Sequence, residues 1–266
     1  MCRVADVAEA AGEASAYALI TGASRGLGAA FAAALAAQGL RLVLTARSEP
    51  DLAAVRERLL RRHPAGEIHC LPADLSRGGA AAVLEELASR RLPVELLVNN
   101  AGLGSGGEFA ARPLGREQEQ VAVNIAALVT LTHGCLAGMR ERRRGAIIQV
   151  ASVAAFQAVP YLATYAATKA FVLHFSLALH EELRAEGIQV LALCPGPTET
   201  DFFRAAGIAP RGPMQSPEAV VRLALAGLQR RQAVVVCGAA NRVMVAAERL
   251  LPRTVLTKLV ARMMKG

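Results

Sequence analysis

Tryptophan is absent from this chain, and all aromatic residues together make up 4% of it. That removes the aromatic platforms on which single-stranded nucleic-acid binders stack bases. No C-x-x-C pair occurs. The five cysteines, Cys2, Cys70, Cys135, Cys194 and Cys237, are scattered and odd in number. They offer no metal-ligand spacing and no redox dithiol, and read as reduced thiols of a cytoplasmic protein. Acidic residues are also scarce: 22 against 30 Lys and Arg, for a net charge of +8 and a pI near 9.8. A basic balance can serve nucleic acid, a membrane surface or an anionic ligand. Here the arginines cluster at Arg61 and Arg62, Arg90 and Arg91, Arg140 to Arg144, and Arg230 and Arg231. Those are places where helices should end, and cations there complement the helix dipole. No nucleic-acid partner is expected. The first sixteen residues contain no apolar core of a signal peptide, so 1–15 read as a loose extension. Residues 145–168 carry no charge, but Gln149, Ser152, Gln157, Pro160, Thr164 and Thr168 interrupt them. Buried strand, loop and helix explain that run better than a membrane span.

What is present is apolar material, 53% of 266 residues, enough for a sizeable core. Short apolar runs at 16–21, 41–45, 67–71, 94–98, 145–151, 188–194 and 233–236 alternate with helical patterns. The helices are expected at 26–38, 50–62, 78–89, 115–140 and from the 152–169 stretch to about 185. Continuous apolar strands between helices indicate an α/β fold, a doubly wound parallel sheet of about seven strands in three layers. One catalytic domain is expected over 16–238, with a helical tail over 239–266. Residues 197–217, rich in Pro and Gly, are the main irregular segment and a candidate lid.

The first strand runs into Thr21-Gly22-Ala23-Ser24-Arg25-Gly26-Leu27-Gly28 and then an alanine-rich helix. Glycines there let the backbone turn tightly and approach a pyrophosphate at the helix N-terminus. The spacing is G-x-x-x-G-x-G. Dinucleotide sites often place an acid after the second strand for the ribose hydroxyls. This chain has Arg47 at that place and Arg25 in the glycine loop. Two guanidiniums suit a 2′-phosphate, so NADP(H) is expected over NAD(H).

Residues 152–169, SVAAFQAVPYLATYAATK, concentrate the reactive groups. They hold a hydroxyl at Ser152, a phenol at Tyr165 and an ammonium at Lys169. Four residues apart on a helix, Tyr165 and Lys169 share a face. A phenol beside a positive charge loses its proton more readily, so a depressed pKa is expected for Tyr165.

With Asp74, Asn99-Asn100-Ala101-Gly102, Asn124 and Pro195-Gly196 in the same order, the chain resembles the short-chain dehydrogenase/reductase family over roughly residues 17–236. The resemblance implies a Rossmann-type fold and a catalytic set of Asn124, Ser152, Tyr165 and Lys169. Ser152 would bond the substrate oxygen and Tyr165 would exchange its proton. Lys169 would bind the nicotinamide ribose and lower the Tyr165 pKa. Asn124 would hold a water or backbone group in a proton relay. The cofactor site would comprise Thr21, Gly22, Ser24, Arg25, Gly26, Leu27 and Gly28, with Arg47, Asp74 on the adenine with Leu75, and Asn100 to Gly102. Pro195, Gly196, Thr198 and Thr200 would lie along the nicotinamide and pyrophosphate. Family members are commonly homodimers or homotetramers.

The substrate expected is a small carbonyl compound or alcohol, apolar because Ala154, Ala155, Phe156, Val159, Phe202 and Phe203 would line its pocket. Reduction of a 3-oxoacyl group on a carrier protein, and a catalytically silent dinucleotide sensor, are the alternatives. Beyond Pro252, Val255, Leu256, Leu259, Val260, Met263 and Met264 form one helical stripe among basic residues, with no acid after Glu248. Such a helix packs on its own domain or a neighbouring subunit, or lies on an anionic membrane as a peripheral contact.

Overall fold

The computed structural model describes residues 16–210, 212–248 and 250–265. The expected extension at 1–15, with Cys2, lies outside the described residues. Seven strands form one sheet: β1 (Tyr17–Thr21), β2 (Arg41–Ala46), β3 (Ile68–Pro72), β4 (Val94–Asn99), β5 (Gly145–Val150), β6 (Ile188–Cys194) and β7 (Val234–Val236). Their order is β3-β2-β1-β4-β5-β6-β7, and every pairing is parallel. Ile20 of β1 is in register with Leu44 of β2 on one side and Val98 of β4 on the other.

The helices are α1 (Gly26–Ala36), α2 (Glu49–Arg62), α3 (Gly79–Ser89), α4 (Leu114–Glu141), α5 (Ala163–Leu183), α6 (Phe202–Ala206), α7 (Pro217–Gln229), α8 (Ala239–Glu248) and α9 (Arg253–Lys265). Local chemistry sets several of these ends. In α2, the Ser48 hydroxyl accepts from the Asp51 amide, Glu49 and Asp51 occupy the first turn, and Arg61 and Arg62 the last, all favourable to the helix dipole. Arg90, Arg142 and Arg230 sit at helix C-caps, where the sequence placed them. The residues that follow, Arg91, Arg143 and Arg231, leave the helix in the left-handed region, with φ 53°, 49° and 53°.

Alternation along the strands divides the core. Ala18, Ile20, Leu42, Leu44, Val98 and Ile148 face α1, α2 and α7. Leu19, Val43, Leu97, Ile147 and Val190 face α3 and α4. The alanines of α1 allow close packing, with Phe31, Ala32 and Leu35 fully buried. Helix α4 is long and apolar enough to cross a bilayer, yet Leu131, Cys135 and Met139 on it are buried against the sheet. Its middle, Ala122–Ala127, is a π-type turn. No local pattern in the sequence announces that turn.

Polar groups inside this core converge on Thr132 of α4, which is 1% exposed. Its hydroxyl oxygen accepts from Asn99 Nδ2 at 3.0 Å and from Gln149 Nε2 at 2.9 Å, tying β4 and β5 to the helix. Thr132→Val keeps the shape and removes one acceptor from each amide, leaving Asn99 Nδ2 with only the longer bond of 3.5 Å to the Leu128 carbonyl. Each buried donor left unsatisfied costs about 1–3 kcal/mol. The expected result is a loss of roughly 2 kcal/mol or more in urea unfolding, with the midpoint shifted and the slope unchanged.

Candidate active site

Sheet order reverses between β1 and β4, so the crossovers leave on opposite faces and open a crevice beyond the strands' C-terminal ends. A cavity of about 780 Å³ occupies this edge. The loop after β1 forms one wall. Gly26 has φ 53°, in the left-handed region, and it starts α1 directly. Arg25 at the N-cap supplies no side-chain cap, and the first turn carries no acid. The helix thus presents uncapped N–H groups and a positive dipole end toward the cavity. Gly28 is required by close approach, since a Cβ there would lie 2.2 Å from the Gly22 carbonyl oxygen. This cradle fits a pyrophosphate.

Most of the sequence-derived candidates line the cavity. Gly22, Ser24, Arg25, Gly26, Leu27, Arg47, Asp74, Leu75, Asn100, Ala101 and Gly102 do so, as do Ser152, Tyr165, Lys169, Pro195, Gly196, Thr198 and Thr200. Thr21, Gly28 and Asn124 do not; they hold the wall from behind. Of the apolar residues expected around the substrate, Ala154, Val159, Phe202 and Phe203 line the cavity, whereas Ala155 and Phe156 pack into the core beside Val172 and Ala192. Thr21 Oγ1 accepts from the amides of Asn100 at 3.0 Å and Ala101 at 2.9 Å, which fixes the loop after β4. Asn124 sits in the wide turn of α4, 1% exposed. Its Oδ1 accepts from the Leu103 amide at 2.8 Å, and its Nδ2 donates to the Leu103 carbonyl at 2.9 Å and to Thr168 Oγ1 at 2.9 Å. Both ends of its amide are used by the protein. Asp74 caps a short turn by accepting from Ser76 N at 3.0 Å and Ser76 Oγ at 2.6 Å. Those bonds, with Arg47 and Arg77 nearby, hold its carboxyl below the usual range. Arg25 reaches across to Asp201, at 3.8 Å.

The chain delivers the reactive groups from two elements. Ser152 follows β5 and caps a short turn, its hydroxyl accepting from Ala154 N at 3.1 Å. The backbone then reverses at Tyr161, φ 65°, and enters α5, whose first two turns carry Tyr165 and Lys169. The Tyr165 ring packs on Phe202 of α6 with centroids 5.1 Å apart. Lys169 is 5% exposed. Its Nζ donates to the Val150 carbonyl at 2.7 Å and stands 5.8 Å from the Tyr165 ring centroid.

The electrostatics differ from the sequence expectation. Burial pushes the Tyr165 phenol up to about 12, with a hydrogen bond from Ser152 acting the other way. Burial pushes Lys169 down to about 8. The expected depression of the phenol by Lys169 is therefore not found. Tyr165 keeps some surface toward the cavity, but low polarity around its hydroxyl penalises the phenolate, and the ammonium is itself engaged by Val150. Sequence reasoning also missed Ser48, Asn241, Met244, Val260, Met263 and Met264, all of which line the cavity. The last five come from α8 and α9, and the apolar stripe of the tail hinted only at Val260, Met263 and Met264.

A buried ammonium at neutral pH weakens the fold. The folded-state pKa of Lys169, about 8, lies below the 10.5 of a free lysine. The unfolded chain thus binds the proton more tightly, and the penalty is fully present below pH 8 and fades toward 10.5. Lys169→Met is expected to raise nucleotide-free stability at pH 7 by roughly 1–3 kcal/mol, at ~1.4 kcal/mol per pKa unit less the lost hydrogen bond. Denaturant titrations at pH 7 and pH 10.5 check it: the gain shrinks at the higher pH.

A family model described as short chain dehydrogenase matches residues 16–209. Among curated proteins, hydroxysteroid dehydrogenase-like protein 1 of Gallus gallus is 36% identical over 183 residues, 67% of this chain and 54% of that one. Its Homo sapiens counterpart, named inactive, is 34% identical over 181 residues, 67% and 54% of the two chains. The chain thus spans about half the length of these two relatives. Ketoacyl reductase HetN of Nostoc sp. is 33% identical over 179 residues, 67% of this chain and 62% of that one. Among solved structures, a short-chain dehydrogenase from Sphingobium yanoikuyae in complex with NADPH is 33% identical with a TM-score of 0.80, covering 88% of this chain and 94% of that one. The bulky-bulky ketone specific alcohol dehydrogenase of Comamonas testosteroni is 30% identical with a TM-score of 0.76, covering 88% and 92%. The glycine cradle, the parallel sheet and the match over 16–209 agree: this chain belongs to the short-chain dehydrogenase/reductase family.

Proposed function

We propose that the protein reduces an apolar ketone or aldehyde to the alcohol with NADPH, or runs the reverse oxidation. One observation carries the reading: Ser152, Tyr165 and Lys169 converge on the cavity that the glycine loop enters, and Tyr165 is held there as a protonated phenol. A protonated phenol is an acid, which suits delivery of a proton to a carbonyl oxygen.

Gly22 and Ser24 to Leu27 would hold the pyrophosphate, Asp74 and Leu75 the adenine, and Asn100 to Gly102 the adenosine side. Pro195, Gly196, Thr198 and Thr200 would run beside the nicotinamide. When bound, the dinucleotide supplies a hydride to the carbonyl carbon. The chain's own residues manage the oxygen. Ser152 and Tyr165 donate hydrogen bonds to it as negative charge grows, which stabilises the transition state more than the ground state. Tyr165 then gives up its proton. Lys169, still largely charged at neutral pH, stabilises the phenolate left behind. Asn124 keeps the Leu103 backbone fixed, next to Gly102, which approaches Lys169 Nζ.

For the cofactor, Arg47 and Arg25 both border the cavity, and their guanidiniums suit a 2′-phosphate. Likeness to HetN favours a second reading, reduction of a 3-oxoacyl thioester, for which a basic surface would attract an acidic carrier. A panel of free ketones, aldehydes and carrier-linked acyl thioesters separates the two. A protein that binds NADPH tightly and turns over none of them would instead be a nucleotide sensor.

Tyr165→Phe is expected to lower kcat by about 10²–10⁴-fold with the NADPH Kd unchanged; retention of more than roughly a tenth of the rate would contradict the assignment. Arg47→Ala is expected to raise the KM for NADPH by about tenfold, the loss of one charge-assisted contact, while the KM for NADH stays put. Equal or better turnover of the wild type with NADH would sink the cofactor preference.

A further inference from the structure

The matched family region ends at residue 209, yet the cavity continues into side chains far beyond it. Asn241 and Met244 of α8 and Val260, Met263 and Met264 of α9 are part of its wall. The contact is close-packed. Val260 is 4% exposed and belongs to one apolar cluster with Val159, Leu162 and Ala166, against which Tyr165, Ile208, Leu256 and Met264 pack. That cluster joins the loop after Ser152, the phenol, the 197–217 segment and α9. Asn241 holds α8 in place at the other end: its Nδ2 donates to the Cys237 carbonyl at 2.7 Å. It also presses on Gly196, where a Cβ would lie 2.2 Å from that nitrogen.

The single stripe expected from the tail is split by this packing. Leu256, Val260 and Met264, four residues apart, turn inward. Val255 and Leu259 are each 44% exposed, and Met263 is 58% exposed at the cavity rim. Arg253, Lys258 and Arg262 are exposed and take no part in the lining. The face that α9 offers the cavity is therefore uncharged. It would meet apolar substrate surface and leave a carboxylate or phosphate without a partner. Methionine side chains adapt to irregular apolar shapes.

We propose that α9 roofs the substrate end of the cavity and sets its size selectivity, Val260 and Met264 favouring a neutral carbonyl compound with a bulky apolar body. This rests on the carbonyl-reductase reading above. The roof stands on Val159, Leu162 and Ile208, so an occupant that fills the space between them buries its own apolar surface against all three and against α9.

The experiment compares kcat/KM for a bulky ketone carrying two aryl groups with that for cyclohexanone. It uses wild type, Val260→Phe, Met264→Ala and the chain ending at Pro252. Val260→Phe is expected to lower the bulky-to-small ratio by about tenfold or more, the scale of a misfit in an apolar pocket. Met264→Ala and the shortened chain move the ratio by a similar factor in either direction. The NADPH Kd of every variant, measured by nucleotide fluorescence, stays within about twofold, an expectation set by the position of α9 away from the glycine loop. As a second measurement, trypsin cleavage after Lys258 of the NADPH-bound wild type slows severalfold when the diaryl ketone is added. An unchanged ratio in all three variants, or no protection by the ketone, overturns the roof. A wild type that turns over neither ketone overturns the reading on which it rests, and the two failures are thereby distinct.

Discussion

A parallel sheet forces every strand to point the same way, so every strand ends at the same edge. The rest of this protein follows from that constraint. Each crossover must return over a face, which is why α1 and α7 cover one side and α3 and α4 the other. The ends of β1, β4, β5 and β6 then deliver the glycine loop, the Asn100 segment, Ser152 and Pro195 side by side. The phenol and the ammonium come from a helix, and α5 brings them to that edge because the chain reverses at Tyr161 before entering it.

The reactive centre is held at some cost to the fold. Lys169 donates to a backbone carbonyl rather than to a carboxylate, so its charge is solvated by a dipole alone. That keeps the ammonium available, whereas a carboxylate partner would neutralise its field at the phenol. Burial works against both ionised forms at once, raising the phenol and lowering the amine. Together they hold the pair in the form in which Tyr165 can give a proton and Lys169 can stabilise what remains. Strain and penalty of this kind concentrate where chemistry is done.

Much of this was legible from the chain. Strands read as apolar runs, and their observed limits differ by at most one residue at either end from those expected. The glycine loop, Ser152 and the Tyr165–Lys169 pair were readable because each lies within one local element whose periodicity fixes where its side chains go. Thr21 and Gly28 stand behind the cavity wall and shape its loops, a placement that only packing reveals. The raised pKa of Tyr165 was illegible because burial is a property of the surroundings, and Phe202, which covers the ring, lies far downstream. Asn241 and Val260 were missed for the same reason. Their neighbours in the sequence look like an ordinary amphipathic tail, and the contacts that give them meaning are made with residues 159–208.

The wide turn in α4 has a consequence for the helix as a whole. A π turn inserts one residue into the 3.6-residue repeat, and one residue is about 100° of rotation. The helix before Asn124 and the helix after it are thus out of phase. Leu131, Cys135 and Met139 face the sheet on one side of the turn, whereas Glu117 and Gln120 are the buried pair on the other. Burial nevertheless continues in steps of three and four residues through the turn, from Glu117 and Gln120 to Asn124, Leu128, Leu131 and Cys135. The turn rotates the first half of the helix by more than a quarter turn relative to the second, and it does so at the residue that grips Leu103.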